Sequence, residues 1–394
     1  MRVLLNFLPL LGRGGGRQNA LNLWAAVARG GGAGHQWLAV ARPNLGLADP
    51  EAGSGMELTT LLVEGAGAGG GRIRADNVDV PRLARRFAAD VIFTPMGTGP
   101  LRSALPRVVG WHDGTAVYPG SPMWAGRPAP ELFAERLRAA YSAVALRTAE
   151  RVCVQTRTMG RRVSAVFGVP PERIRVVPNG LSSFLAGEDP IPEEPPAGSR
   201  RPAEGGGPRR ILVVTTTMPA KNLAILPRVA RALAELGARG VELVVTLSPE
   251  DGAREMGVTR ASADGVVVPG PVPVRCVGSV LHERLGDFYR AGAAVLVPSW
   301  VESFTAVYPE AWHFGLPVVT SDLDFARDLC GAGALYAPPD RPETFARRIL
   351  STLDDVELRR SLREAGRARL ASLPTWDQRF AMYLSALEEA RAIA

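Results

Sequence analysis

Two glutamates eight positions apart, Glu302 and Glu310, and one lysine, Lys221, are the residues of this 394-residue chain whose types and placing invite chemistry. Carboxylates accept hydrogen bonds from hydroxyls, and an ammonium neutralises an anion as a compact point charge. Lys221 also stands out by composition, because every other one of the 46 basic residues is arginine. Where arginine has replaced lysine nearly everywhere, a surviving lysine suggests a phosphate pocket too tight for a flat guanidinium.

The elements around these residues place them at strand ends. Ala293 to Val297 has the length and β-branched content of a buried strand and is closed by Pro298. A loop carrying Glu302 follows, then Pro309, suited to the first helical position, with Glu310 in the helix's first turn. Gly315 stops that helix, and Leu316 to Val319 starts another strand. Upstream, the run Ile211-Leu212-Val213-Val214 reads as a strand, and Lys221 lies where its loop turns into a helix over 223–236. Open α/β sheets bind ligands at the C-terminal ends of such strands, where unpaired backbone N–H groups attract phosphate. Carboxylates beside that anion site would accept from neutral hydroxyls on either side of it. Hydroxyls flanking a diphosphate describe a nucleotide sugar. The plainer reading is that Glu310 complements a helix N-terminus and Glu302 is a solvated loop residue.

Glu302-x7-Glu310, with Ser303-Phe304 before and Ala311 and Gly315-x-Pro317 after, resembles the signature of family 4 retaining glycosyltransferases. The resemblance implies a GT-B chain, α/β in class, with two Rossmann-like domains facing across a central cleft. It implies a nucleotide-diphosphate sugar as donor, an acceptor hydroxyl, and neither cofactor nor metal. On this reading Lys221 and the amides of Ser303, Phe304, Thr305 and Ala306 hold the diphosphate. Glu302 holds the sugar hydroxyls and Glu310 the ribose, while Val280 and His282 frame the nucleobase. Two departures follow: Thr216 stands where the family has an arginine that shares the diphosphate, and Thr305 stands where many relatives carry glycine. Thr216 could donate a neutral hydrogen bond instead.

Composition narrows the class further. Hydrophobic content of 46% and charged content of 22% are ordinary for a globular protein. No apolar run approaches the roughly 20 residues of a membrane helix. Met1 to Leu11 could open a signal peptide, but the glycines after it fit a first strand and its loop better, favouring a cytoplasmic protein. Cys153, Cys276 and Cys330 are odd in number and far apart, which suits reduced, buried thiols. Residues 1–180 hold 22 arginines against 12 acids, a surplus of +10 in a chain of net charge +7. Either this half meets an anionic membrane surface or phosphorylated acceptor, or arginine simply solvates helix faces. Nothing in the pattern points to nucleic acid.

In the first half, Val3 to Leu10 reads as a buried strand, Gly12 to Arg17 as a glycine-rich loop, and Asn19 to Arg29 as a helix. That order lets amides approach phosphate, but it is neither a Walker loop nor a clean dinucleotide fingerprint. By resemblance Gly14, Gly15 and Gly16 lie between donor and acceptor. Residues 44–74 read mostly as surface loop with a strand at 58–63, followed by a helix over 81–89. His112 and Asp113 end a strand, a pairing that suits acid–base work but is more often structural. The resemblance makes His112 the active-site histidine at the reaction centre, with Asp113 orienting it or meeting acceptor. Tyr118 and Trp124, in a Gly- and Pro-rich loop, offer aromatic faces to a sugar or lipid acceptor.

Val176 to Gly180 resembles the family's VPNG element closing the first domain, and 187–210, rich in Pro, Glu, Gly and Arg, reads as linker. The expected division is 1–185, a linker 186–210, and a donor-binding domain 211–375, with a last helix 376–394 returning to the first domain. The function expected is hexosyl transfer to a glycan, lipid-linked or small-molecule acceptor, with retention, in cell-surface glycan, glycolipid or secondary-metabolite synthesis. The rivals are a sugar-nucleotide epimerase on the same fold and a non-catalytic subunit. A third is a metal-dependent GT-A enzyme using Asp322-x-Asp324, a triplet that reads better as the cap of a helix over 325–329.

Overall fold

The computed structural model describes residues 1–10, 14–30, 34–61, 70–185, 187–188, 207–259, 262 and 264–393. The chain divides into two compact units. One comprises Met1–Pro119, Gly126–Gly180 and Pro374–Ala394; the other comprises Gly120–Ala125 and Leu181–Leu373.

The first unit is built on β1 (Arg2–Asn6), β2 (Gln36–Ala41), β3 (Met56–Thr60), β4 (Val91–Thr94), β5 (Arg107–Gly110), β6 (Arg151–Val154) and β7 (Ile174–Val176). They form one sheet in the order β3-β2-β1-β4-β5-β6-β7, and every pairing is parallel. Both faces of a parallel sheet must be covered, which explains the unbroken apolar runs. On one face Val3, Leu5, Val91 and Phe93 pack with Leu23, Trp24 and Val27 of α1 (Gly14–Arg29). The same cluster takes Trp376, Phe380, Tyr383 and Leu387 from the C-terminal helix Trp376–Ile393. On the other face Leu4, Leu38 and Ile92 meet Val80, Ala84 and Phe87. Each such side chain taken out of water contributes about 1.5–3 kcal/mol. Further helices are α2 (Gly70–Arg74), α3 (Val80–Arg86), α4 (Ala129–Arg147) and α5 (Arg157–Phe167).

Two expectations for this unit need correction. The stretch expected as loop over 44–74 contains β3 two residues earlier than the strand expected there, and α2 leads through a π-turn at Ala75–Asp79 into α3. Pro81 therefore sits in the first turn of a continuing helical path, where its missing N–H does no harm. The helix expected from Asn19 starts instead at Gly14. First-turn N–H groups have no intrahelical partner, so glycine there loses little, and Arg17 and Gln18 favour helix. Gly12 and Arg13, the rest of the expected glycine-rich loop, lie outside the described residues.

The second unit carries β8 (Arg209–Val213), β9 (Val241–Val245), β10 (Val266–Val268), β11 (Val274–Cys276), β12 (Ala294–Val297), β13 (Val318–Ser321) and β14 (Leu335–Ala337). The sheet order is β10-β11-β9-β8-β12-β13-β14, with β10 the antiparallel edge. Helices follow as α6 (Leu226–Glu235), α7 (Pro249–Met256), α8 (His282–Arg290), α9 (Val307–His313), α10 (Asp324–Cys330), α11 (Pro342–Asp354) and α12 (Val356–Ala371), before the C-terminal helix, α13. Ile211, Val213, Leu243 and Val274 pack on one face with α6 and α11, through Val229, Leu233, Phe345 and Ile349. Leu212, Val295 and Val318 pack on the other with Tyr289, Tyr308 and Trp312. Gly366 of α12 lies against the Trp312 indole, where a Cβ would overlap the ring.

The boundary expected at 185 falls instead after Gly180, because Leu185 is buried in the second unit's core. Most of the expected linker, 189–206, lies outside the described residues. All three cysteines are buried free thiols.

Candidate active site

The second sheet reverses its strand order between β8 and β12, which lie side by side and parallel. Crevices beyond the C-terminal ends of strands form at such switch points. Two loops meet there. After β8 a short 3-10 turn, Pro219–Lys221, ends at Asn222, whose φ of 55° is in the left-handed region. Asparagine tolerates that conformation better than most residues. Its Nδ2 donates to the carbonyls of Pro298 at 3.0 Å and Pro339 at 2.8 Å, and Trp300 N–H donates to Ala220 O at 2.7 Å. The loop after β8 is thus stitched to the loop after β12.

This stitching brings the two residues predicted from sequence into contact: Lys221 Nζ lies 2.7 Å from Glu302 Oε1. Ser299 Oγ, which sequence reasoning passed over, donates to the same oxygen at 2.7 Å. Only 20% of the Lys221 side chain and 10% of the Glu302 side chain are exposed, so solvent screens the pair less than an ordinary surface bridge. Among the described residues Glu302 Oε2 has no hydrogen-bond partner, and the N–H groups of Glu302 to Ala306 donate to nothing. Ser303 and Phe304 are half-buried, Thr305 is buried with its Oγ1 accepting from Val307 N–H, and Ala306 is exposed.

Glu310 has a different setting from the one expected. Its helix begins at Val307, two residues before Pro309, and six of its seven residues are buried, Glu310 among them at 5% exposure. Tyr289 donates to Oε2 at 2.7 Å and Ser182 to Oε1 at 2.8 Å. Burial raises the carboxyl to about 7, against the opposing pull of the Tyr289 and Ser182 hydrogen bonds. The carboxylate expected to meet ribose is enclosed in this structure, in contact with two hydroxyls. A helix apolar on every side is a buried helix, and that is why.

The remaining predictions in this unit scatter. Thr216 is exposed and Val280 half-buried. His282 is exposed, its ring 4.6 Å from that of Phe184, a residue that sequence reasoning missed. Val280 lines a groove of about 460 Å³ that runs along the sheet past Arg210, Glu242 and Arg275, and Lys221, Glu302 and Glu310 are not part of its wall. That groove is therefore not where the charged pair sits. Asp322 is held by Arg327 at 2.7 and 2.9 Å, and Asp324 Oδ1 accepts the N–H of Phe325. The triplet is engaged in local contacts, although Leu323, not Asp324, is the N-cap residue of α10.

In the first unit, Gly14, Gly15 and Gly16 form the first turn of α1 in place of the expected loop. His112 follows β5 with Nε2 buried and unpartnered among the described residues, although part of the residue keeps open surface. Burial, helped by the charge of Arg379, lowers its pKa to about 3, while a hydrogen bond to the Pro95 carbonyl opposes them. The imidazole is neutral, with one ring nitrogen donating and the other free to accept. Asp113 does not orient it; its Oδ1 accepts the N–H of Thr115 at 2.9 Å and the hydroxyl at 2.5 Å, closing a turn. Tyr118 is buried, with the Arg162 guanidinium 3.6 Å from its ring centroid, so it offers no open face. Trp124 is half-buried and counts with the second unit. Gly110 comes close under Pro95, where a Cβ would overlap the carbonyl oxygen.

Two doubly wound α/β units, Rossmann-like in topology, define a GT-B fold. Solved structures of that fold match the whole chain. Sucrose-phosphate synthase from Thermosynechococcus elongatus matches with a TM-score of 0.71 at 18% identity, covering 100% of both chains. Anabaena HepE, solved with UDP-glucose, matches at 0.65 and 17% identity, over 98% of this chain and 100% of that one. Residues 31–183 match the family model described as Glycosyltransferase Family 4, and residues 208–355 match Glycosyl transferases group 1. The chain belongs to this glycosyltransferase family. Its curated relatives include D-inositol 3-phosphate glycosyltransferases. That of Acidothermus cellulolyticus is 28% identical over 44% of this chain and 38% of its own length. That of Nocardiopsis dassonvillei is 31% identical over 56% and 50%. The match thus spans about half, or less, of these relatives' length.

Proposed function

We propose that the protein is a retaining glycosyltransferase that moves a hexose from a nucleotide-diphosphate sugar to an acceptor hydroxyl. The observation that carries this reading is the Lys221–Glu302 pair at the switch point of the second sheet, beside a run of N–H groups without partners. Lys221 and those amides would stabilise the negative charge that grows on the diphosphate as its bond to the sugar breaks. Glu302 Oε2 would accept from sugar hydroxyls. In the other unit, His112, neutral, keeps Nε2 as an acceptor for a hydroxyl. The leaving phosphate takes the acceptor proton, so no protein base is required. Thr216 supplies at most a neutral hydrogen bond where the family has an arginine. This leaves more of the charge to Lys221.

The relatives guide the choice of substrates: a UDP-glucose complex for the donor, D-inositol 3-phosphate for the acceptor. The test incubates the protein with UDP-, GDP- and ADP-hexoses, alone and with D-inositol 3-phosphate or simple glycosides, with and without chelator. The result expected is thermal stabilisation by one nucleotide and an α-linked product, both retained in chelator. An isomerised sugar from donor alone would mean an epimerase. Binding without any turnover would mean a non-catalytic subunit. No helix among the described residues is long and apolar enough to cross a membrane. We read the protein as cytoplasmic, and the arginine surplus of the first half supports peripheral contact with anionic lipid, which vesicle co-sedimentation would reveal.

A further inference from the structure

Helix α4 turns its apolar side away from the core on which it packs. It packs through its C-terminal turns, where Ser142, Ala145 and Leu146 are buried, whereas no residue from Ala129 to Ala140 is buried. A surface helix ordinarily directs its apolar stripe inward. Here Phe133, Leu137, Ala140 and Val144, spaced four, three and four residues apart, share the face opposite the packed one. Phe133 is 63% exposed, Leu137 56% and Val144 43%. Single exposed apolar side chains are common, but three large ones in line along about 16 Å of helix mark a docking surface.

The charges beside the stripe say what docks. Arg136 and Arg147, both exposed and neither in an ion pair among the described residues, border it on one side. The acids of the helix lie on the opposite side, Glu131 bridged to Arg127 at 3.3 Å and Glu135 to Arg138 at 2.6 Å. A second copy of α4 laid against the stripe would offer those arginines no acid, because its own borders carry none. An anionic bilayer offers them phosphates and takes the apolar side chains below its headgroups. The surplus of +10 over residues 1–180 extends the same attraction beyond this helix.

We propose that α4 docks the first unit on an anionic phospholipid bilayer, lying along the surface with Phe133, Leu137 and Val144 inserted and Arg136 and Arg147 at the phosphates. The inference rests on the peripheral-contact reading above and gives it a surface, which the arginine surplus alone does not.

The experiment sediments the full chain with vesicles of phosphatidylcholine, with and without phosphatidylglycerol. The wild type should bind the anionic vesicles at least tenfold more tightly than the neutral ones. Phe133→Ser with Leu137→Ser should weaken that binding at least tenfold, and Arg136→Gln with Arg147→Gln about tenfold. All four side chains are exposed, so the thermal midpoint should stay where it is, which checks the fold. An environment-sensitive dye on Leu137→Cys should shift to shorter wavelength on anionic vesicles, and one on Glu131→Cys should not; the native thiols are buried, so labelling is selective. If the serine variant binds as well as the wild type, the inference falls and peripheral contact stands on other arginines. If the wild type binds neither kind of vesicle, both fall. A wild-type dimer that the serine substitutions make monomeric would give the stripe to a second copy and overturn the proposal.

Discussion

The two sheets share a winding pattern and treat charge in opposite ways. At the switch point of the second, an ammonium and a carboxylate lie 2.7 Å apart with limited exposure. At the C-terminal edge of the first, the group offered is an imidazole kept neutral by burial and by the nearby guanidinium of Arg379. Arg379 is only 2% exposed, and the hydrogen bonds it donates to Asn19 Oδ1 and Tyr383 Oη go to neutral groups. The contrast teaches a division of labour: one edge suits an anion, the other a neutral hydroxyl.

Breaking the charged edge should have the largest effect. Lys221→Ala is expected to abolish stabilisation by nucleoside diphosphates and to lower turnover by about 10²–10³. Lys221→Arg should recover part of it at best, because a planar fork replaces a point charge. Thermal shifts with the cognate diphosphate check both. Undiminished stabilisation of Lys221→Ala would remove that residue from the site.

Next in size is a contrast in pH. Glu310 holds its proton up to about 7 when folded, against an ordinary value of 4.5. Its stabilising contribution is complete below 4.5 and gone once the pH has risen through 7. His112 is the reverse: lowered to about 3 from 6.5, it contributes fully above 6.5 and loses this as the pH falls towards 3. Denaturant titrations should therefore show Glu310→Gln flattening the alkaline limb, by about 3 kcal/mol over that window, and His112→Gln flattening the acid limb. A wild-type curve whose limbs survive both substitutions would contradict the two assignments.

Arg379→Met sharpens the comparison with a smaller effect. Losing the guanidinium should raise the His112 pKa, read by imidazole NMR titration, without restoring it, since burial is the larger cause. Smallest of all, Thr216→Ala should change stability by less than about 0.5 kcal/mol, its side chain being exposed, and donor affinity by no more than a neutral hydrogen bond.

Much of the second unit was legible because its signals are local. Apolar runs closed by proline or glycine mark β8, β12 and β13, and the loops after them carry Lys221 and Glu302 to one edge. What escaped depends on contacts distant in sequence. Ser182 and Glu310 are 128 residues apart, and Ser182, Tyr289 and Phe184 are common residue types without special spacing. Glycine's low helix propensity suggested a loop at Gly14 to Gly16, yet in a first turn that propensity matters little. The enclosure of Glu310 escaped notice because an acid at a helix start was read for its charge, toward hydroxyls or the helix N-terminus. Its neighbours Val307, Tyr308, Ala311 and Trp312 leave the helix no polar face, a pattern present in the sequence and given too little weight.

The helix α13 has one more implication. Trp376, Phe380, Tyr383 and Leu387 belong to the same buried cluster as Val3 and Leu5. During synthesis on the ribosome, the core of the first unit must therefore wait for α13, which is made after the second unit. The intervening unit, whose core needs no later residue than Leu373, can consolidate earlier. A chain released after Leu373 should thus show a protease-sensitive first unit beside a resistant second one.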